Sequence, residues 1–185
     1  MEPKGENFFT ETIKFALLAL LIVIPIRLFV FQPFIVSGAS MEPTFETGEY
    51  LIVDQLSYRM HPPKRGEVII FRFPQEPSKF FIKRVIGLPN ETVELRGNTI
   101  SIVNSEHPEG FSIDEPYLEG EPARNDFLTF GLKDDEYFVM GDNRGASSDS
   151  RVWGALPEHF IVGRALVRLY PPQKADVLPG NAATN

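Results

Sequence analysis

FFIKRVIG, residues 80–87, reads as a β-strand with apolar residues on both of its faces. At a repeat of two, Lys83 shares a face with Phe81 and Val85, while Arg84 shares the other with Ile82 and Ile86. If either face is covered, one of the two charges must point into apolar surroundings. Burial disfavours an ammonium group and lowers its pKa, whereas a guanidinium stays charged.

Segments of the same kind lie on either side of it. EYLIVDQL (49–56), VIIFRF (68–73), EYFVM (136–140) and FIVGRALVRLY (160–170) read as strands, and HPPKRGE (61–67) as a turn-rich loop. ETVELRGNTISIV (91–103) reads as a hairpin turning around Arg96, Gly97 and Asn98. The 185 residues include 16 Pro and 14 Gly, spread between short apolar segments as in a mainly β domain with many turns. Residues 104–135, polar and rich in Pro and Gly, are expected as a loop-rich excursion. The stretch from 171 to 185, PPQKADVLPGNAATN, lacks periodicity and is expected as a flexible tail. There is no internal repeat. The β domain is expected over residues 32–170.

Ahead of it, FALLALLIVIPI (15–26) is apolar throughout, and LFVF (28–31) resumes the pattern after Arg27. Residues 15–31 are expected as a single transmembrane helix, near the lower limit of about 17 residues for a span. Arg27 lies close enough to the end to snorkel to the interface, and Pro25 is tolerable there. Lys4 and Lys14 precede the span, and neither Lys nor Arg occurs between Arg27 and Arg59. Positive-inside counting therefore places residues 1–14 in the cytoplasm and the β domain on the outside of the bilayer.

Composition removes other classes. The net charge is −7, with 25 acidic against 18 basic residues, and no basic run is available to neutralise phosphates, so nucleic acid is not an expected partner. The absence of cysteine excludes disulfides and thiolate metal sites, and suits an oxidising compartment.

FIVSGASMEPTF, residues 34–45, has two opposed readings. Ser37, Gly38 and Ala39 after an apolar stretch resemble a secretory cleavage site, with the cut after Ala39. A signal's apolar region leads directly to its small-residue site, however, and here Leu28, Phe29, Phe31 and Phe34 intervene. The other reading makes Ser40 a nucleophile kept accessible by small neighbours, which requires a base. His61, His107 and His159 all fall in loops with no well-placed Asp. Nothing in the sequence points to a Ser-His-Asp arrangement, which stays open beside a second candidate base, Lys83. Near pH 8 a lysine of ordinary pKa, about 10.4, is less than about 1% neutral, a deficit of roughly 3 kcal/mol that desolvation can largely remove. A neutral Lys83 within reach of Ser40 could take its proton and later return it to a leaving amine. Taken singly, Ser40 also fits a plain turn and Lys83 a side chain that snorkels to water. MGDNRGASSDSRVWG (140–154) is equally open. Gly141, Asp142 and Asn143 make a tight turn, and the residues after it form either a hydrophilic loop or the source of a hydroxyl that orients a lysine, with Asp149 and Arg151 bracing it.

SGASMEPT (37–44), RGEVIIFRFP (65–74), FIKRVIGLP (81–89) and GDNRGASSDSRVWG (141–154) stand in the order and spacing of the type I signal peptidases, or leader peptidases. The resemblance runs from the apolar segment to about Tyr170. It implies an antiparallel β-sheet catalytic domain with its groove facing the membrane. It implies Ser40 as nucleophile, Lys83 as general base and Ser147 as the lysine-orienting serine, with Arg84, Asp142, Asp149 and Arg151 as structural support. Some members have a serine where this chain has Gly38. The oxyanion hole would then rest on the Ser40 backbone N–H, with Gly38 permitting close approach. The excursion at 104–135 is short beside the second domain of some members.

The function this resemblance implies is a membrane-bound serine endopeptidase that removes signal peptides from exported preproteins with small residues at the cleavage site. It would work at the outer face of the plasma (inner) membrane, or at a thylakoid membrane in a photosynthetic source. The substrate would add as a strand between Phe34, Ile35 and Val36 on one side and Phe81 and Ile82 on the other. No metal or cofactor is expected. The rival expectations are a self-cleaving Ser/Lys protease and a catalytically silent, membrane-tethered β binding module.

Overall fold

The computed structural model describes residues 8–29, 31–118 and 126–181. It opens with helix α1, Phe8–Phe29. Phe9, Phe15, Leu17, Leu21 and Val23 on α1 are exposed. Among the described residues, no helix is long and apolar enough to cross a membrane. The span expected over 15–31 is corrected accordingly. The helix begins earlier than expected, at Phe8, and Phe31 already belongs to the first strand.

The described strands form two antiparallel sheets. The larger has the order β1-β2-β11-β3-β4-β9-β10, with β12 added beside β11. Its strands are β1 (Phe31–Ile35), β2 (Tyr50–Asp54), β3 (Val68–Phe73), β4 (Glu76–Gly87), β9 (Glu136–Met140), β10 (Leu156–Pro157), β11 (Ile161–Tyr170) and β12 (Asp176–Val177). The smaller sheet has the order β7-β6-β5-β8, from β5 (Thr92–Gly97), β6 (Thr99–Val103), β7 (Phe111–Ser112) and β8 (Asp126–Gly131). The hairpin read at 91–103 is the β5–β6 pair, closing at Arg96 opposite Thr99.

β3 is covered on both faces, which is why VIIF is apolar without interruption. Ile69 and Phe71 join Val85, Tyr137, Val139 and Leu156 in one cluster. Val68 and Ile70 face the other way, onto Val36, Met41, Phe45, Leu51, Val53 and Ala165. Each fully buried side chain of this size contributes about 1.5–3 kcal/mol. A further cluster joins the two sheets, with Ile86 of β4 and Phe138 and Met140 of β9 packed on Val93, Leu95, Ile100 and Ile102.

Pairing leaves two edges open where the site lies. β4 pairs with β3 from Phe80 to Arg84, but β9 reaches it only from Arg84 onward. β1 pairs with β2 alone. The rings of Phe34 on β1 and Phe80 on β4 touch across this gap, with centroids 5.1 Å apart.

Two expectations from sequence are revised. The excursion at 104–135 supplies β7 and β8, and β8 pairs with the whole of β5. Leu128 and Phe130 of β8 pack on the core while Phe127 is exposed, an alternation too short to stand out among Pro and Gly. The stretch expected as a flexible tail carries, as far as Asn181, a turn at Pro172–Lys174 and β12, whose Val177 and Asp176 pair with Val167 and Arg168. Backbone hydrogen bonds rather than apolar periodicity hold it, so the sequence pattern is silent. Residues 182–185 lie outside the described residues.

Candidate active site

Ser40 sits in the turn that follows β1. The turn is tied down on both sides: Val36 N donates to Glu49 O at 2.9 Å, and Gly48 N donates to Val36 O at 2.9 Å. Met41 and Phe45 behind Ser40 are buried in the core, which fixes the loop while Ser37, Gly38 and Ala39 stay exposed. Gly38 has φ +98°, and a Cβ there would meet nothing within 4 Å. Conformation, not crowding by the chain, requires glycine at this point, and the space beside it is open. The Ser40 N–H donates to no protein acceptor among the described residues, whereas that of Gly38 donates to Thr47 Oγ1 at 3.0 Å.

Lys83 enters from β4. It is 3% exposed, and its Nζ donates to Ser40 Oγ at 2.7 Å and to the carbonyl of Ile82 at 2.9 Å. The Phe81 ring lies 5.4 Å from the nitrogen. Burial pulls the Lys83 pKa down to about 8, against the opposing pull of the Asp149 and Asp142 carboxylates. At that value about half of the amine is neutral near pH 8.

Arg84, the neighbouring charge, is buried as well, but paired. Its Nε and Nη2 donate to the two oxygens of Asp142 at 2.8 and 2.5 Å, and its Nη1 donates to the carbonyls of Gly66, at 2.8 Å, and Gly180. The Tyr117 ring covers the guanidinium at 3.7 Å. Asp142 also accepts from Thr44 Oγ1 at 2.6 Å, and Asn143 N donates to Ser40 O at 3.1 Å. The turn at 141–143 is thereby fastened to both the Ser40 loop and β4. Gly141 permits the close approach, since a Cβ there would lie 2.3 Å from Ser40 O.

Asp149 is fully buried and caps the short helix α2, Ser150–Trp153. Burial pushes its pKa up, but hydrogen bonds and charge from Arg151 and the Gly141 N–H outweigh this and hold the carboxyl below its usual range. Arg151 donates to both Asp149 oxygens at 2.8 Å, and Gly141 N to Oδ2 at 3.1 Å.

The structure does not bring Ser147 onto the lysine. Its buried Oγ has no partner at hydrogen-bond geometry, although it is near enough to Asp149 to help hold that carboxyl ionised. The Lys83 amine is oriented by Ser40 and the Ile82 carbonyl instead. Of the residues expected along a substrate strand, Ile35 is exposed and Val36 buried, while Phe34 and Ile82 are half-buried against the core and Phe81 is half-buried against its aromatic neighbours.

Sequence reasoning missed a second tier of residues. Arg144 donates to Glu115 Oε2 at 3.0 Å and to Gly141 O at 3.1 Å, and Tyr117 OH donates to Glu115 Oε1 at 2.6 Å. Arg144 lies inside the quoted GDNRG run, whereas Glu115 and Tyr117 sit in the excursion, where nothing local signals their destination. Thr44 closes the quoted SGASMEPT run, whereas Gly180 sits in the stretch expected as a tail, where nothing local signals its partner.

An antiparallel β domain that holds a serine hydroxyl against a buried, partly neutral lysine is the architecture of a serine endopeptidase. The chain belongs to the signal peptidase family, peptidase S26, whose sequence profile matches residues 9–170. It is 36% identical over 179 residues to a probable signal peptidase I-1 of Synechocystis, covering 93% of this chain and 88% of that protein. It is 37% identical to a signal peptidase I of Leptolyngbya laminosa, covering 92% and 84%. A signal peptidase I of Bacillus licheniformis is 35% identical, covering 90% and 91%.

Proposed function

We propose that this chain removes N-terminal signal peptides from exported preproteins, with Ser40 as nucleophile and Lys83 as general base. The observation that carries the reading is the 2.7 Å contact between Lys83 Nζ and Ser40 Oγ, with the amine out of water. When Lys83 is neutral, the Ser40 hydroxyl donates to it. Attack on the scissile carbonyl then moves that proton to Nζ, and Lys83 passes it to the departing amine. The lysine next draws a proton from water, which hydrolyses the ester and frees Ser40. The Ser40 N–H, which has no acceptor among the described residues, is available to the oxyanion. Ser147, placed beside the bracing Asp149, is left for orienting Lys83 once substrate seals the site.

The substrate adds as a strand between the open edges of β1 and β4, where backbone groups await partners. Phe34 and Ile82 already pack onto the core and form a filled floor, which favours small side chains at the cleavage site. The exposed apolar side chains of α1 support seating of the chain in a lipid bilayer, with the catalytic domain outside the cytoplasm.

The test is cleavage of a preprotein by detergent-solubilised protein, comparing the parent with Ser40→Ala and Lys83→Ala. Both variants are expected to lose activity while keeping the fold. Undiminished cleavage by either one rejects the assignment, and an inactive, folded parent favours a binding module.

A further inference from the structure

The segment after β11 returns to the catalytic core, beyond the stretch matched by the family profile, which ends at residue 170. It is stitched down along its length. Arg168 Nε donates to Lys174 O at 2.7 Å, Lys174 Nζ lies 2.6 Å from Glu46 Oε1, and Leu178 N donates to Leu166 O at 2.7 Å. Pro179 is buried. At the end of this path the Gly180 carbonyl accepts from Arg84 Nη1.

That contact matters because Arg84 is fully buried. A buried guanidinium must satisfy its donors inside the protein, since an unmatched one loses its hydration without replacement. Asp142 takes two of the bonds, and the Gly66 carbonyl and Gly180 carbonyl share Nη1. The fit at Gly180 is close. Its φ is +72°, and a Cβ there would lie 2.7 Å from Thr44 Cγ2 and 3.0 Å from the Phe45 ring. Thr44 is the residue that reaches Asp142 through its hydroxyl, in the loop that begins at Ser40. The C-terminal segment thus touches both ends of the connection from the serine loop to β4.

We propose that residues Asp176–Asn181 form a positioning strap for the peptidase site, with the Gly180 carbonyl fixing Arg84 and, through it, the Asp142–Thr44 link behind Ser40. The strap touches no reacting atom. It sets the separation and the dryness of the Ser40–Lys83 pair by holding the two strand-borne neighbours, Arg84 and Thr44, in register. The proposal rests on Ser40 and Lys83 being the reacting pair.

Two variants test it, each made in the otherwise complete chain: one ending at Leu178, and Gly180→Ala. Each is assayed for kcat and KM on a preprotein across pH, beside its thermal unfolding midpoint. The charged groups that face Lys83 are Asp142 and Asp149, and Arg84 meets the Asp142 carboxylate and the uncharged Tyr117 ring. Loosening this packing admits water to the amine, so the acid limb of kcat/KM is expected to move to higher pH. An accompanying fall in kcat of roughly tenfold is expected, with KM within about twofold, as for loss of an interaction made chiefly at the transition state. An unchanged pH limb overturns the proposal, whether kcat is parental or falls uniformly in step with the folded fraction. If the shortened chain does not fold, Gly180→Ala decides alone by the same criteria. Ser40→Ala and Lys83→Ala are run in parallel. Activity in either removes the underlying reading, whereas their inactivity together with parental strap variants removes only the strap.

Discussion

Arg84 and Asp142 form an ion pair sealed from solvent, with side chains 0% and 1% exposed, directly behind the serine loop. Breaking a buried pair by removing one partner strands the other charge and costs about 3–5 kcal/mol. Asp142→Ala is therefore expected to lower stability by about that amount in urea unfolding. Arg84→Lys should fail to rescue, because an ammonium cannot make the two-pronged bond to Asp142 while also reaching Gly66 and Gly180. A parental denaturation midpoint for Arg84→Lys would contradict the geometry.

Lys83 is expected to trade stability for reactivity. Its folded pKa, about 8, lies below the ordinary 10.5, so between these values the unfolded chain binds more protons and stability rises with pH. Below about pH 8 the full penalty of burying the charge is present. Lys83→Met, apolar and similar in length, should stabilise the protein at pH 7 by up to about 3 kcal/mol and abolish cleavage. Its advantage should shrink as pH is raised toward 10, which unfolding curves at several pH values would reveal.

As the proposed base, the same lysine is expected to set the pH profile of catalysis. With a base of pKa about 8, kcat/KM should climb tenfold per pH unit in acid and level off above about pH 8. The Asp149 carboxylate favours the ammonium form, so Asp149→Asn, which keeps the side chain's size, should move the limb to lower pH. A limb that moves upward would place the carboxylate's influence elsewhere.

Ser147 offers a clean separation of roles. Its buried hydroxyl has no hydrogen-bond partner, so Ser147→Ala should leave the unfolding midpoint unchanged or slightly raised. If the hydroxyl orients Lys83 when substrate is bound, kcat should nonetheless fall by about tenfold to a hundredfold. Equal losses of stability and activity would instead mark it as packing.

How much of this was legible in the chain depends on range. The strand at 80–87 and the burial of one of its two charges follow from local alternation, and so does the β5–β6 hairpin, whereas the burial of both Lys83 and Arg84 does not. A serine nucleophile's need for a base raises Ser40 and Lys83 as a pair, and the resemblance to the signal peptidases chooses that pair over a plain turn and a snorkelling side chain. Glu115, Tyr117 and Gly180 could not be placed in advance, because their importance comes from partners far along the chain. β8 was lost because one short alternating segment among turn residues carries little signal. Helix α1 shows a displacement of its ends, since the apolar run at 15–31 marks neither its start at Phe8 nor its stop at Phe29.

The site is also a record of how far apart in sequence its parts are. Ser40 meets a residue 43 positions away, Thr44 meets one 98 away, and Arg84 meets one 96 away. Contacts of such separation form late, after loop closure has been overcome. A newly made chain therefore cannot complete this network of contacts until residue 180 has been added.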